Sequence, residues 1–196
     1  MSESAEDELA CMLSSYDTDV QTVGVSRIET AGLILDVGGG GEGIIARLNG
    51  KQVVAIDTRK GELMETHNEA LKVVMDAADL KFLPKSFDVC TAFFSLMYIP
   101  KSIHQKVFKE VFRVLKDKGR FLIWDVRIPE NVAGYEAFIV HLKVKLPNEE
   151  VGTAYGARWQ TQGPEYFKEM ARLTGFRVTK ESGQNEIFHL EMEKQV

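Results

Sequence analysis

Leu35-Asp36-Val37-Gly38-Gly39-Gly40-Gly41-Glu42-Gly43-Ile44-Ile45 packs five glycines into six positions, at the point where an apolar run turns into a helical one. Glycine loses more conformational freedom on folding than any other residue, so a purely structural turn has no use for five of them. A loop that lets backbone approach a ligand ahead of a helix does. Gly38, Gly40 and Gly43 satisfy the G-x-G-x-x-G pattern, with Asp57 nineteen residues beyond Gly38, so spacing alone leaves a dinucleotide such as NAD open. Asp36 tilts the choice away from it. A carboxylate two residues before the first glycine repels a pyrophosphate and attracts a cation. With Asp57 and Asp76 it gives acids at three successive strand ends, which makes the open edge of the sheet acidic.

Around the loop, strand-like runs alternate with helical stretches: Leu33 to Asp36, Val53 to Asp57, Leu71 to Asp76, Phe87 to Phe93 and Arg120 to Trp124. Such Val- and Ile-rich runs suit parallel strands buried on both faces by crossover helices. The expected fold is α/β, a doubly wound Rossmann-like seven-stranded sheet, mostly parallel. Phe176 to Lys180 and Glu186 to Glu193 read as a closing hairpin that adds one antiparallel strand at the C-terminus. Ser102 to Lys116 reads as a helix with Ser102 and Gln105 as a capping box and Gly119 as a stop. A later helix starts at Gly163-Pro164 and ends at Gly175.

Between these helices, Phe138, Val140, Leu142, Val144 and Leu146 alternate with Ile139, His141, Lys143 and Lys145, and Val151 to Trp159 alternates again after Pro147. Residues 135–159 are therefore expected as an inserted β-hairpin, its exposed edge open to a homodimer contact or another partner. The chain up to about Tyr16 reads as an acidic tail and a short helix bearing Leu9, Met12 and Leu13, part of an N-terminal helical cap over residues 1–30. At 196 residues the whole, 1–196, fits a single domain.

Composition narrows the class. The net charge of −5 is concentrated in Glu3, Glu6, Asp7 and Glu8, leaving a near-neutral body that gives no reason to expect nucleic acid or an anionic membrane. A small-molecule substrate fits better. Cys11 and Cys90 are far apart and make neither a disulfide framework nor a metal motif. No apolar run approaches the roughly 20 residues of a membrane span, and the acidic start is unlike a signal peptide, so a cytoplasmic location is expected.

Taken in order, Leu35-Asp36-Val37-Gly38-Gly39-Gly40, Ile56-Asp57, Met75-Asp76-Ala77-Ala78-Asp79-Leu80, Leu83-Pro84-Lys85-Ser86-Phe87-Asp88-Val89 and Val111 to Phe121 resemble the class I S-adenosylmethionine-dependent methyltransferases. The likeness is to the small-molecule type, similar to the ubiquinone and menaquinone biosynthesis methyltransferases, and runs from about Gly32 to Lys194. The resemblance implies S-adenosylmethionine as cofactor. It implies a site in which Asp36, Gly38, Gly39, Gly40 and Gly43 form the loop under the methionine and ribose. Asp57, followed by Thr58, accepts from both ribose hydroxyls. Asp76 accepts from the adenine amino group, the Ala77 N–H reaches the adenine ring, and Phe94, Ser95 and Leu96 pass beneath the methionine. The family loop usually reads D-x-G-x-G-x-G. This chain is one residue longer, leaving open whether Gly41 or Gly43 takes the last role and whether Glu42 reaches the amino-acid end.

Methyl transfer from a sulfonium needs positioning and exclusion of water more than acid–base groups, so no catalytic residue is assigned. His67, His104 and His189 sit in separate segments without ligand spacing, so no metal is expected. Tyr98, His141 and Asp125 are candidates, each with a plainer reading: a wall residue, a solvated strand face, a strand terminus. The Asn/Asp-Pro-Pro-aromatic sequence of amide and exocyclic-amine methylation is missing, as is the Pro-Cys of cytosine C5 chemistry. Two rival functions remain at this level. An NAD-dependent reductase lacks its Tyr-x-x-x-Lys pair; a non-enzymatic S-adenosylmethionine-binding module would act through the hairpin.

Overall fold

The computed structural model describes residues 14–131 and 134–196. Two short strands, β1 (Ser15–Asp17) and β2 (Gln21–Gly24), precede β3 (Ile34–Val37), α1 (Ile44–Asn49), β4 (Val53–Asp57), α2 (Lys60–Glu65), β5 (Leu71–Val74) and β6 (Phe87–Phe93). There follow α3 (Lys101–Val114), β7 (Leu115–Val126), β8 (Ala137–Lys145), β9 (Glu150–Arg158), α4 (Pro164–Thr174), β10 (Phe176–Gln184) and β11 (Ile187–Lys194). The main sheet has the order β10-β11-β7-β6-β3-β4-β5. From β5 to β7 all neighbours are parallel, and β11 runs antiparallel to both β7 and β10. The order turns around at β3 and β6, where open α/β sheets bind ligands.

Strand alternation sorts the side chains into two cores. Leu35, Val37, Val54, Ile56, Cys90, Ala92, Phe121 and Ile123 point to the face covered by α3 and α4, which contribute Val107, Phe108, Val111, Phe167 and Ala171. Ile34, Val53, Ala55, Val89, Leu122 and Trp124 point to the other face. There α1 and α2 are only six residues each. The remaining area is closed by Val23, Phe138, Val140, Leu142 and Val144 from a second sheet. Sheet-on-sheet packing thus replaces part of one helical layer.

That second sheet corrects two expectations. Residues 135–159 do not stand alone as a hairpin: β8 and β9 pair antiparallel, and β1 and β2 pair parallel with β8, making four strands. The β8 edge that a lone hairpin would offer to a second copy is occupied. Nor do the described residues of the expected helical cap form a helix. Gln21 and Val23 are buried while Thr22 and Gly24 are exposed, a period-two pattern that only a strand satisfies, and β8 supplies its ladder. The helical reading of residues 1–13 lies outside the described residues.

Helix α3 begins at Lys101 after Pro100 with no side-chain cap, so Ser102 and Gln105 make no capping box. The Lys101 N–H instead donates to Gln160 Oε1 at 2.8 Å, tying the helix start to the segment leaving β9. Between β5 and β6 no helix intervenes. Arg113 donates to the carbonyls of Phe82 and Leu80, and Glu110 accepts the Leu80 N–H, so that loop is held by one charged pair on α3. Among the described residues, no helix is long and apolar enough to cross a membrane.

Candidate functional site

The loops after β3, β4, β5 and β6 converge on a cavity of about 880 Å³. Gly38 turns the chain out of β3 at φ 72°, and its N–H and that of Gly39 donate to the Ile56 carbonyl at 2.8 and 3.0 Å. A Cβ on Gly38 would lie 2.4 Å from the Ser95 Cβ, and one on Gly40 would lie 2.5 Å from the Glu62 Cβ. The glycines are therefore required by close approach of neighbouring loops as well as by conformation. Gly41 and Gly43 both take left-handed conformations, at φ 59° and 58°, on either side of Glu42. The Gly41 N–H donates to the Glu62 carbonyl, and Gly43 caps α1.

Asp36 is buried beneath this loop, its carboxylate accepting from Thr91 Oγ1 at 2.7 Å. Desolvation pushes its pKa up to about 7; the Thr91 hydrogen bond opposes the rise and the nearby Asp57 adds to it. It is thus not a freely solvated acid at the sheet edge but a carboxyl near its titration point, facing a cavity that can receive a cation. Asp57 is half-buried beside Gly40, with Oδ1 accepting the Arg59 N–H at 2.9 Å. Asp76 is exposed on the cavity rim, where it accepts the N–H of Ala78 at 2.8 Å, and Thr58 and Ala77 line the same wall.

After β6, Phe94 sits at φ 47°, a conformation costly for an aromatic residue, held there by its N–H donating to the Trp124 carbonyl at 2.8 Å. Ser95 donates to the Val37 carbonyl at 2.6 Å and so ties this loop to the glycine loop. Leu96 does not join the site. It opens a single 3-10 turn, is fully buried, and packs with the helical-face core, while its carbonyl accepts from His104 Nε2. Tyr98, two residues on, lines the cavity; burial of its hydroxyl pushes the phenol pKa up, partly offset by Arg59.

The wall that sequence reasoning missed is β9. Ala154, Tyr155 and Gly156 line the cavity. Both Thr153 Oγ1 and Tyr155 Oη donate to the Glu42 carboxylate, the latter at 2.7 Å, and the Tyr155 ring stacks on Phe94 with centroids 5.7 Å apart. Arg47 donates to the Glu42 carbonyl through Nε and pairs with Glu149 at 3.2 Å. Glu42 lies more than a hundred residues from Thr153 and Tyr155, and Arg47 from Glu149, so no local pattern announces these pairs. Glu62, on α2, lines the same cavity and was not among the residues the sequence singled out.

The remaining candidates fall outside the cavity. Asp125 is fully buried, raised to about 7 by desolvation against hydrogen bonds from Val126 and Gln162. His141 pairs with Asp17 at 2.8 Å on the outer face of the second sheet. His189 stacks on Trp124, and Cys90 is buried in β6.

A glycine cradle beside carboxylates at Asp36, Glu42, Asp57, Glu62 and Asp76 fits a cationic nucleoside, with hydroxyl-accepting and amine-accepting groups at separate ends. Comparisons with known proteins agree. Residues 35–123 match a family model described as a methyltransferase domain. The ubiquinone/menaquinone biosynthesis C-methyltransferase of Nitrobacter hamburgensis is 28% identical over 187 residues, covering 83% of this chain and 73% of that protein. The sterol 4-C-methyltransferase of Caenorhabditis elegans is 32% identical over 95 residues, 48% of this chain and 28% of that one. A crystal structure described as an S-adenosylmethionine-dependent methyltransferase from Methanosarcina mazei superposes with a TM-score of 0.63 at 17% identity, covering 87% of this chain and 95% of that chain, a likeness of fold. These likenesses support an S-adenosylmethionine-dependent methyltransferase similar to the small-molecule class I enzymes, with S-adenosylmethionine as its cofactor.

Proposed function

We propose that the chain methylates a small-molecule acceptor by in-line displacement inside the cavity. One observation carries this reading above others: loops separated by up to about 60 residues, bearing Gly38 to Gly43, Asp57, Asp76 with Ala77, and Phe94 with Ser95, line a single space. When bound, the cofactor supplies a methyl group on a positively charged sulfur whose departure leaves a neutral thioether.

The chain's own residues then have positional work. Asp57 holds the ribose hydroxyls, with Thr58 beside it. Asp76 and Ala77 hold the adenine edge. Gly38, Gly39, Gly40 and Gly43 let the backbone lie against the methionyl and ribose portions, while Asp36 lies beneath them. Phe94 and Ser95 form the floor under the methionyl chain. Tyr98, on the cavity wall with nearly half its surface exposed, orients the acceptor through its hydroxyl. Tyr155 and Phe94 exclude water from the transfer path, which strengthens every polar contact inside.

Isothermal titration with S-adenosylmethionine, S-adenosylhomocysteine and NAD tests this reading. Both sulfur ligands should bind and NAD should not. Asp57→Ala should weaken both by roughly a hundredfold, the scale of two hydrogen bonds to a charged group. Tight NAD binding, or unchanged affinity in that variant, contradicts the assigned roles.

A further inference from the structure

Glu42 and Arg47 stand on the glycine loop and the helix it starts, and both line the cavity. Glu42 occupies the added position between two left-handed glycines, which aims its side chain away from the loop and across to β9. There both carboxylate oxygens are taken, one by the Thr153 hydroxyl and one by the Tyr155 hydroxyl. A carboxylate gripped by two hydroxyl donors has lost its rotamer freedom before any ligand arrives. Arg47 is likewise steadied from the second sheet, through Glu149.

The placement along the cavity is decided by what surrounds the pair. Asp76 and Ala77 lie at the end of β5, and Asp57 at the end of β4. Glu42 is joined through Tyr155 to Phe94, on the β6 side, beyond the ribose position and away from the adenine. An anion and a cation five residues apart, at that end of the cavity, match an α-amino acid zwitterion.

We propose that Glu42 and Arg47 hold the α-ammonium and α-carboxylate of the cofactor's methionyl end, and that Thr153 and Tyr155 are positioning residues that preset Glu42 for it. This inference rests on the cofactor reading above. The second sheet therefore contributes to cofactor recognition as well as covering the core. Both hydroxyls act through Glu42 and touch no part of the reacting centre.

The test compares two ligands by calorimetry on the full chain: S-adenosylhomocysteine, and 5′-methylthioadenosine, which shares its nucleoside but lacks the amino-acid group. Tyr155→Phe, which keeps the ring and its stacking, should weaken S-adenosylhomocysteine roughly tenfold and leave methylthioadenosine unchanged. Glu42→Gln should do the same to at least that extent, and the double variant should lose no more than Glu42→Gln alone, because the phenol acts through the carboxylate. Thr153→Ala should weaken only S-adenosylhomocysteine, and Thr153→Ser should restore it. Equal weakening of both ligands, or no change in either, overturns the proposal, since a role confined to packing cannot tell the two ligands apart. If the unaltered chain binds neither ligand, the cofactor site itself is misplaced and this inference falls with it.

Discussion

The cavity has two walls of different origin. One is a row of strand ends from the main sheet, where Gly38 and Phe94 follow directly on β3 and β6, Asp57 ends β4 and Asp76 comes just past β5. The other is the edge of β9, which reaches the glycine loop through Glu42 and the β6 loop through the Tyr155–Phe94 stack and the approach of Gly156 to Tyr98. On the first wall, three loops are anchored in strands buried within the sheet, β3, β4 and β6, while the Asp76 loop follows the part-exposed edge strand β5. The second depends on whether the two sheets hold together. If they behave as one cooperative unit, the site is preformed; if β1, β2, β8 and β9 can separate from the main sheet, the Glu42 side of the cavity opens first.

Phe138→Ala gives the strongest handle on that difference. Phe138 is 1% exposed on the inner face of the second sheet, and its truncation should cost about 3–5 kcal/mol. Chemical denaturation of the variant should show one transition at a lower midpoint with an unchanged slope. A separate early transition would show that the sheets are uncoupled. On the other wall, Gly38→Ala combines a left-handed backbone with a Cβ 2.4 Å from that of Ser95, and should lose about 2–3 kcal/mol of stability along with cofactor affinity. Undiminished cofactor binding in that variant would mean the loop is looser than its contacts imply.

Acidity sharpens the comparison on the main-sheet side. Asp36 has a folded pKa of about 7, raised above its unfolded value, so the protonated carboxyl stabilises the fold. That contribution is complete below the ordinary carboxylate range and is lost as pH rises through 7. Asp36→Asn should therefore flatten part of the decline in stability between about pH 4 and 7, measured by denaturation across that range; Asp125 retains a decline of the same sign. Binding runs in the opposite direction. Affinity for the cationic S-adenosylmethionine, relative to neutral S-adenosylhomocysteine, should rise with pH through 7 by less than about tenfold per pH unit, and Asp36→Asn should abolish that trend. The smallest effect is expected at the outer face of the second sheet. Asp17→Asn removes an exposed pair with His141 and should change stability by less than about 1 kcal/mol in a denaturation midpoint.

The two walls also differ in how far they can be read from residues alone. Val53–Asp57 and Phe87–Phe93 are strands over the ranges their Val- and Phe-rich runs suggest, because continuous apolar runs bounded by acids and glycines have few other ways to be buried. The loops that follow them carry their own markers, so Gly38, Asp57 and Asp76 could be named before any contact was known. Leu96 misled because sequence neighbours of Ser95 need not share its direction: one 3-10 turn sends Leu96 inward and Tyr98 outward. The capping box at Ser102 failed because the helix starts earlier, at Lys101 after Pro100, which puts Ser102 inside the first turn, and the Lys101 N–H is met by Gln160, far along the chain. β1 and β2 are three and four residues long, too short for a period to show, and they are strands because β8 offers them an edge. Glu42 with Tyr155 is the extreme case, a contact across 113 residues that only the packing of the second sheet creates.

A crystal structure of the chain with S-adenosylhomocysteine tests the two-walled site most directly. The account predicts both ribose hydroxyls on Asp57, the adenine amino group at Asp76 beside Ala77, and the amino-acid end between Glu42 and Arg47 with Tyr155 still bonded to Glu42. A nucleoside bound in another orientation, with Asp57 facing solvent and β9 withdrawn from the ligand, would contradict it.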